Sequence, residues 1–251
     1  PARMKHLASI GGAPLPSTEI WEADVVVAAV FDTGQLADVI GDAPEQVNAC
    51  LISVSTCDPD RMPGLAEAAT VKGIDLVEAP ISGTSRDLAK GQVILLVAGP
   101  SEMPRQLTPF FEKLSRTHFH VGAIGNGNRA KLAINLVLGL NRAALAEGLV
   151  FATAMGLDPA SFLKLAQQSA AASAVMVGKG SSMVERDFAP TGRITQSAKD
   201  FSLILEAAEK AGHALPFART YEAMMQDCLG CDEGDLDNSA ILLAIERCSR
   251  P

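Results

Sequence analysis

Aromatic side chains are scarce in this chain: nine Phe, one Tyr and one Trp among 251 residues. Ala, Gly and aliphatic residues are abundant instead, which excludes a core of stacked rings and favours helices laid against a largely buried sheet. Cysteines are few and odd in number, five, which argues against a disulfide framework and for reduced thiols. Two of them, Cys228 and Cys231, form a CxxC. No second Cys or His pair at zinc spacing accompanies it, and it follows a helical stretch instead of opening one, so neither a metal site nor a redox motif is expected. The four histidines (His6, His118, His120 and His213) are dispersed and stand in no nucleophile or metal pattern. Positive charge is also thin. The 21 Lys and Arg are outnumbered by 29 Asp and Glu, for a net charge of −8, and no basic cluster is dense enough to follow a phosphate backbone, which sets nucleic acid aside as a partner. No apolar run approaches the roughly 18–20 residues of a membrane span, and the N-terminus lacks a signal-peptide series. The expectation is a soluble, cytoplasmic protein with no membrane partner.

What is present reads as two parts. The opening PARMKHLASIGGA suggests an amphipathic helix with a glycine stop. Ala23–Phe31 is an unbroken β-branched run whose lack of alternation suggests a strand buried on both faces. A helix over Thr33–Ile40 and a strand over Cys50–Val54 follow. Asp58-Pro59 then reads as an N-cap with Pro at the first position of a helix running to about Lys72. Ile74–Glu78 is strand again, Gln92–Ala98 another, Ser101–Leu114 a helix and Thr117–Val121 a short strand. Strand and helix in alternation imply right-handed crossovers and a parallel sheet, which binds small ligands at the carboxyl ends of its strands. Those ends are Phe31-Asp32, Ser55-Thr56 and the run Ala79–Thr84, whose Ser-Gly-Thr turn offers hydroxyls and backbone N–H groups to an anion. Beyond Asn128 the spacing is helical, with helices expected over Arg129–Met155, Ala160–Ser169, Ser173–Arg186, Lys199–Ala211, Pro216–Cys228 and Ser239–Cys248. The fold class is therefore α/β followed by all-α, with residues 1–124 as the first domain, 125–251 as the second, and the active cleft expected between them.

The stretch Gly122–Asn135, GAIGNGNRAKLAIN, marks the change. Its Gly125–Ala130 fits the dinucleotide fingerprint G-x-G-x-x-G/A, with Glu147 about 20 residues on. That fingerprint needs a second strand after its helix, and Glu147 sits inside a helical run, so the match fails on context. Lys131 and Asn135 lie one turn apart on one helix face, where they could hold and protonate a substrate oxygen. On spacing alone, a solvated lysine and a locally bonded asparagine are the better reading.

Four blocks taken together change that balance. They are Glu78–Gly83 with its tail to Gly99 (EAPISG, then AKGQVILLVAG), Gly125–Asn135 (GNGNRAKLAIN), Ala146–Pro159 (AEGLVFATAMGLDP) and Lys199-Asp200. In combination they resemble the β-hydroxyacid dehydrogenase family, which includes 3-hydroxyisobutyrate dehydrogenase and is related to 6-phosphogluconate dehydrogenase. The Ser-Gly-Thr turn, the Gly-Asn-Gly turn and the segment Lys179–Met183 (KGSSM) are most similar to the glyoxylate and succinic semialdehyde reductase branch.

The resemblance implies a Rossmann-type domain and a helical domain of the 6-phosphogluconate dehydrogenase kind. It also implies hydride transfer between NADP or NAD, with a lean to NADP, and a small carboxylate substrate. By the same resemblance Lys131 is the general acid and base, Asn135 bonds the substrate, and Ser82, Gly83 and Thr84 grip its carboxylate. Val30, Phe31, Thr56 and Lys199 serve the cofactor. A homo-oligomer, dimer or tetramer, is expected from the apolar helices of the second part.

Three departures bear on substrate and cofactor. The family's opening strand–GxGxxG–helix–strand unit has no counterpart here, because Pro1 matches a point just past the second strand. The chain by itself is therefore expected to bind dinucleotide weakly or not at all, as a fragment of a longer protein would. Phe31 stands where many members have Pro. Thr84 stands where most have a second Gly, and Gly192-Arg193 falls where the semialdehyde reductases place a pocket aromatic. Imine reductases, which share the architecture but generally lack this lysine, and a non-catalytic scaffold relative are the alternatives.

Overall fold

The computed structural model describes residues 2–100 and 102–248. Pro1 and Ser101, each the expected first residue of a helix, lie outside the described residues. The chain divides into two compact units, Pro1–Ser82 with Gly91–Arg129, and Gly83–Lys90 with Ala130–Pro251.

The first unit is a Rossmann-type α/β layer. After a short helix α1 (Ala2–Ser9) come β1 (Val25–Ala28), α2 (Thr33–Gly41), β2 (Ala49–Ser53), α3 (Met62–Val71) and β3 (Ile74–Glu78). The three strands lie parallel in the order β1-β2-β3, with Val25 opposite Cys50 and Ala49 opposite Ile74. Every residue of β2 is buried, as its position between two neighbours requires. β1 corrects the expectation of burial on both faces: Val26 and Ala28 are buried, but Val27, which points to the opposite face, is 44% exposed, and a run of valines carries no pattern to say so.

Helix α3 also starts later than expected. Arg61, not Asp58, is its N-cap, with Pro63 in the first turn. The Asp58 carboxylate instead accepts the N–H of Asp60 two residues on, which makes a turn and not a cap.

The chain continues through β4 (Ile81–Ser82), α4 (Ser85–Leu88), β5 (Ile94–Val97), α5 (Glu102–Gln106), α6 (Thr108–Leu114) and β6 (Thr117–His120). β5 and β6 are parallel, but β4 runs antiparallel to β5, and Glu78 and Ala98 exchange antiparallel backbone bonds of 2.9 Å. Only two residues separate β3 from β4, too few for the crossover that parallel neighbours need, so the chain turns back. The single helix expected up to Leu114 is two, because Pro109 in the first turn of α6 has no N–H to offer the carbonyl of Arg105.

The second unit is all-helical: α7 (Asn126–Ala154, entering this unit at Ala130), α8 (Pro159–Gln168), α9 (Ala174–Glu185), α10 (Ile194–Lys210), α11 (Pro216–Gly230) and α12 (Ile241–Cys248). Leu145, Met183, Phe201, Tyr221 and Ile241 are among its buried side chains, and the Phe201 and Tyr221 rings pack with centroids 4.4 Å apart. Burial of such side chains contributes roughly 1.5–3 kcal/mol each. Helix α10 begins five residues before the expected Lys199. Its first N–H groups, at Ile194 and Thr195, are accepted by the carbonyls of Leu236 and Gly234, a long-range cap that no local pattern announces.

Helix α7 runs unbroken through Glu147, and among the described residues no second strand follows it as a fingerprint would require. It also corrects the expectation that no segment is long and apolar enough for a membrane span. Over its best window its mean hydropathy is 1.4, with 33% of that window buried. Length and composition alone produce this: one side of the helix feeds the core through Leu132, Leu145 and Leu149, and another carries exposed Val137 and Phe151.

Candidate functional site

In the second unit, four polar side chains converge. Lys131 and Asn135 stand one turn apart on α7, and Lys199 and Asp200 lie in the second turn of α10. Lys131 is 8% exposed. Burial pushes its ammonium below the ordinary lysine range; the Asp200 carboxylate pulls it back up, and the Lys199 ammonium pushes it further down. The Asn135 amide donates to Asp200 Oδ2 at 2.8 Å, and Lys199 Nζ stands 2.9 Å from Asp200 Oδ1. Asp200 therefore uses both oxygens, one to orient Asn135 and one to hold Lys199. It is the residue that sequence reasoning missed, although it sat beside Lys199 in a quoted block. The arrangement presents a buried lysine beside a fixed amide donor, the equipment to orient an oxygen and exchange a proton with it.

Gly83 and Thr84 also belong to this unit. Thr84 caps α4 in a capping box: its hydroxyl accepts the Asp87 N–H, and the Asp87 carboxylate accepts the Thr84 N–H at 2.9 Å and its hydroxyl at 2.6 Å. Those bonds hold the Asp87 carboxyl below the usual range. Both Thr84 donors expected to face an anion are thus engaged by Asp87. The Gly192 position, where an aromatic was the family pattern, is pinned instead by its backbone: its N–H donates to Asp237 Oδ2 at 3.2 Å and its carbonyl accepts the Asn238 N–H at 2.7 Å.

In the first unit, the carboxyl ends of β1 and β2 are stitched together. Ser55 Oγ accepts the Val30 N–H at 2.8 Å and donates to the Val30 carbonyl at 2.7 Å. Thr33 Oγ1 accepts the Asp58 N–H at 2.8 Å, and the Phe31 N–H donates to Gln35 Oε1. Val30, Phe31 and the buried Thr56 thus occupy adjoining loops of fixed shape, with Phe31 38% exposed. Ser55 is expected from the sequence only as part of a strand end open to ligands; a serine beside a threonine carries no signal of such a bridge. Ser82 ends β4 opposite Ile94, half-buried. Among the described residues no three of His, Cys, Asp and Glu are grouped so as to hold a metal ion. In the CxxC, Cys228 is buried, with burial pushing its thiol up to about 12, and Cys231 is exposed.

Residues 1–122 match the NAD binding domain of 6-phosphogluconate dehydrogenase, and residues 125–245 match the model described as NAD-binding of NADP-dependent 3-hydroxyisobutyrate dehydrogenase. Glyoxylate/succinic semialdehyde reductase 1 of Arabidopsis thaliana is 30% identical over 220 residues, 88% of this chain and 74% of that protein. The 2-hydroxy-3-oxopropionate reductase of Escherichia coli is 28% identical over 248 residues, 96% of this chain and 85% of that protein. The crystal structure of 3-hydroxyisobutyrate dehydrogenase from Salmonella typhimurium shares the fold, with a TM-score of 0.87 at 20% identity over 97% of this chain and 88% of that one. With two matched domains and a relative at this level of identity, the chain belongs to the β-hydroxyacid dehydrogenase family of NAD(P)-dependent oxidoreductases.

Proposed function

We propose that the protein interconverts a small β-hydroxyacid and its carbonyl partner, of the 3-hydroxyisobutyrate, glyoxylate or succinic semialdehyde type, and prefers NADP. The observation that carries this reading is the buried Lys131 set among Asn135, Lys199 and Asp200. The residues of the first unit fit the nicotinamide end of such a cofactor: parallel strands present loops at their carboxyl ends, and Ser55 fixes the shape of the Val30 loop from both sides. When bound, the cofactor supplies the hydride. Lys131 gives its proton to the carbonyl oxygen in reduction and recovers it in oxidation. Asn135, its amide fixed by Asp200, bonds the substrate. Ser82 and the Gly83 backbone receive the carboxylate, with Thr84 shaping the turn through Asp87, and Lys199 serves the cofactor side. Assays of glyoxylate, succinic semialdehyde and 3-hydroxyisobutyrate with NADPH and NADH, run on the protein as encoded in full, test this against a cyclic imine. Turnover of the carboxylates, faster with the phosphorylated cofactor, is expected. Turnover of the imine alone would overturn the reading, and no turnover with no cofactor binding favours a non-catalytic scaffold.

The same reading includes a homo-oligomer. Val137, Ala144 and Phe151 recur at seven-residue spacing along one exposed stripe of α7, Met155 follows just past its end, and Val137, Phe151 and Met155 are 58%, 65% and 67% exposed. Light scattering is expected to give at least the dimer mass, and Phe151→Glu to shift it toward monomer at unchanged helix content. A wild-type protein that is monomeric at tens of micromolar contradicts this.

A further inference from the structure

The first unit holds a buried carboxylate that the chemistry above does not use. Glu78, the last residue of β3, is fully buried. Its Oε2 accepts the backbone N–H of Gly125 at 2.8 Å and of Gly127 at 3.1 Å, and its Oε1 accepts Asn128 Nδ2 at 2.7 Å. Asn128, also fully buried, uses its Oδ1 to accept the Cys57 N–H at 2.7 Å. The backbone is shaped to admit this carboxylate. Gly125 has φ +95°, and a Cβ on Gly127 would stand 2.8 Å from the Leu96 carbonyl oxygen and 3.0 Å from Glu78 itself. Two side chains in series thus tie these elements together: Glu78 binds the first turn of α7 to the end of β3, and Asn128 binds that turn to the loop after β2.

The network has a direction. The Cys57 N–H can only donate, so the amide of Asn128 must turn its oxygen to Cys57 and its NH2 to Glu78. Glu78 then faces donors on every side, and only a group that accepts with both oxygens satisfies them. Glutamine in its place would set an NH2 against either Asn128 or the glycine N–H groups, and turning Asn128 over only moves the conflict to Cys57. The negative charge also sits at the positive end of the helix dipole. Lys131 follows Gly127 by four residues, about 6 Å along the same helix, and Thr56 directly precedes Cys57.

We propose that Glu78 and Asn128 form a positioning pair that fixes the first turn of α7, the turn from which Lys131 follows, to the Thr56–Cys57 loop. The proposal rests on the role given to Lys131 above. Misplacement by an ångström costs a catalytic group on the order of 10²-fold, so Glu78→Gln and Asn128→Asp are each expected to lower kcat by about that factor, with KM changed by less than about threefold.

The test is the double variant. Glu78→Gln with Asn128→Asp reverses the donor and acceptor between the two side chains: the oxygen of the introduced glutamine takes the glycine N–H groups, its NH2 donates to the new carboxylate, and that carboxylate accepts from Cys57. Recovery of kcat to within about fivefold of wild type is expected, together with recovery of slow hydrogen exchange at Gly125, Gly127 and Cys57. A double variant that adds the two losses, or that does not fold, overturns the proposal, as do single variants with wild-type kcat. Should the wild type turn over no substrate, the function assignment fails. The exchange rates and the Lys131 titration, followed by NMR of the dimethylated protein, still decide the pairing: recovery in the double variant supports it and additivity rejects it.

Discussion

Replacing Lys131 with Ala is expected to lower kcat on the order of 10³-fold, within the range of general acid–base catalysis, while the dissociation constant for NADPH changes little. The side chain is 8% exposed, and burial favours its neutral form, so the cost to turnover follows from losing a proton donor. Lys131→Arg separates charge from proton transfer. A guanidinium keeps the positive charge but does not release its proton in the working range, so this variant should stay within about tenfold of Lys131→Ala. The pH dependence has a definite sign. Reduction needs the ammonium, and burial followed by Lys199 lowers the pKa while Asp200 opposes them, so reductive kcat falls as pH rises through a value below that of free lysine. Oxidation needs the free amine and rises over the same interval. Asp200→Asn removes the opposing charge and should move both profiles to lower pH. Turnover surviving in Lys131→Ala, or profiles that do not move in Asp200→Asn, would show that another group carries the proton.

The parts of this fold legible in the sequence were those with local causes. Ile74–Glu78 is a short apolar run closed by turn signals, and Gly156-Leu157-Asp158-Pro159 contains a helix stop and start: the Asp158 side chain does cap Ser161, with Pro159 opening α8. What escaped depended on distant groups. The early start of α10 hangs on the carbonyls of Gly234 and Leu236, about 40 residues away. The joining of β3 to β5 in antiparallel sense depends on a single exchanged pair, Glu78 and Ala98. The site divides in the same way. Lys131 and Asn135 could be placed on one helix face from spacing, but the reason to choose them came from the combination of blocks. Asp200 and Glu78 lay within those blocks without a role until their oxygens could be followed to Asn135, Lys199 and Asn128.

Asp237→Asn is expected to destabilise the protein by about 3–5 kcal/mol, the cost of breaking a buried ion pair from one side. Asp237 is 2% exposed, and both its oxygens stand 2.7 Å from Lys179 Nζ. Oδ1 also accepts the N–H and hydroxyl of Ser239, and Oδ2 accepts the N–H and hydroxyl of Thr191 and the N–H of Gly192. Either orientation of an asparagine amide would set its NH2 against backbone donors and leave the Lys179 ammonium buried without a counter-charge. Burial alone would raise the Asp237 pKa, but Lys179 and the surrounding donors outweigh it and hold the carboxyl far below its ordinary value. A depressed carboxylate contributes stability that is complete above the unfolded pKa, about 3.9, and is lost as pH falls toward the folded value. The difference between wild type and Asp237→Asn in urea denaturation should therefore be widest between about pH 5 and 7 and close progressively below about pH 4. Lys179→Met should cost a similar amount by leaving the carboxylate unpaired, and the double variant should cost clearly less than the two together, because neither charge is then stranded. Strict additivity, or a difference that does not depend on pH, would mean that the Asp237 backbone bonds alone hold the Thr191–Gly192 segment and that the ion pair contributes nothing of its own.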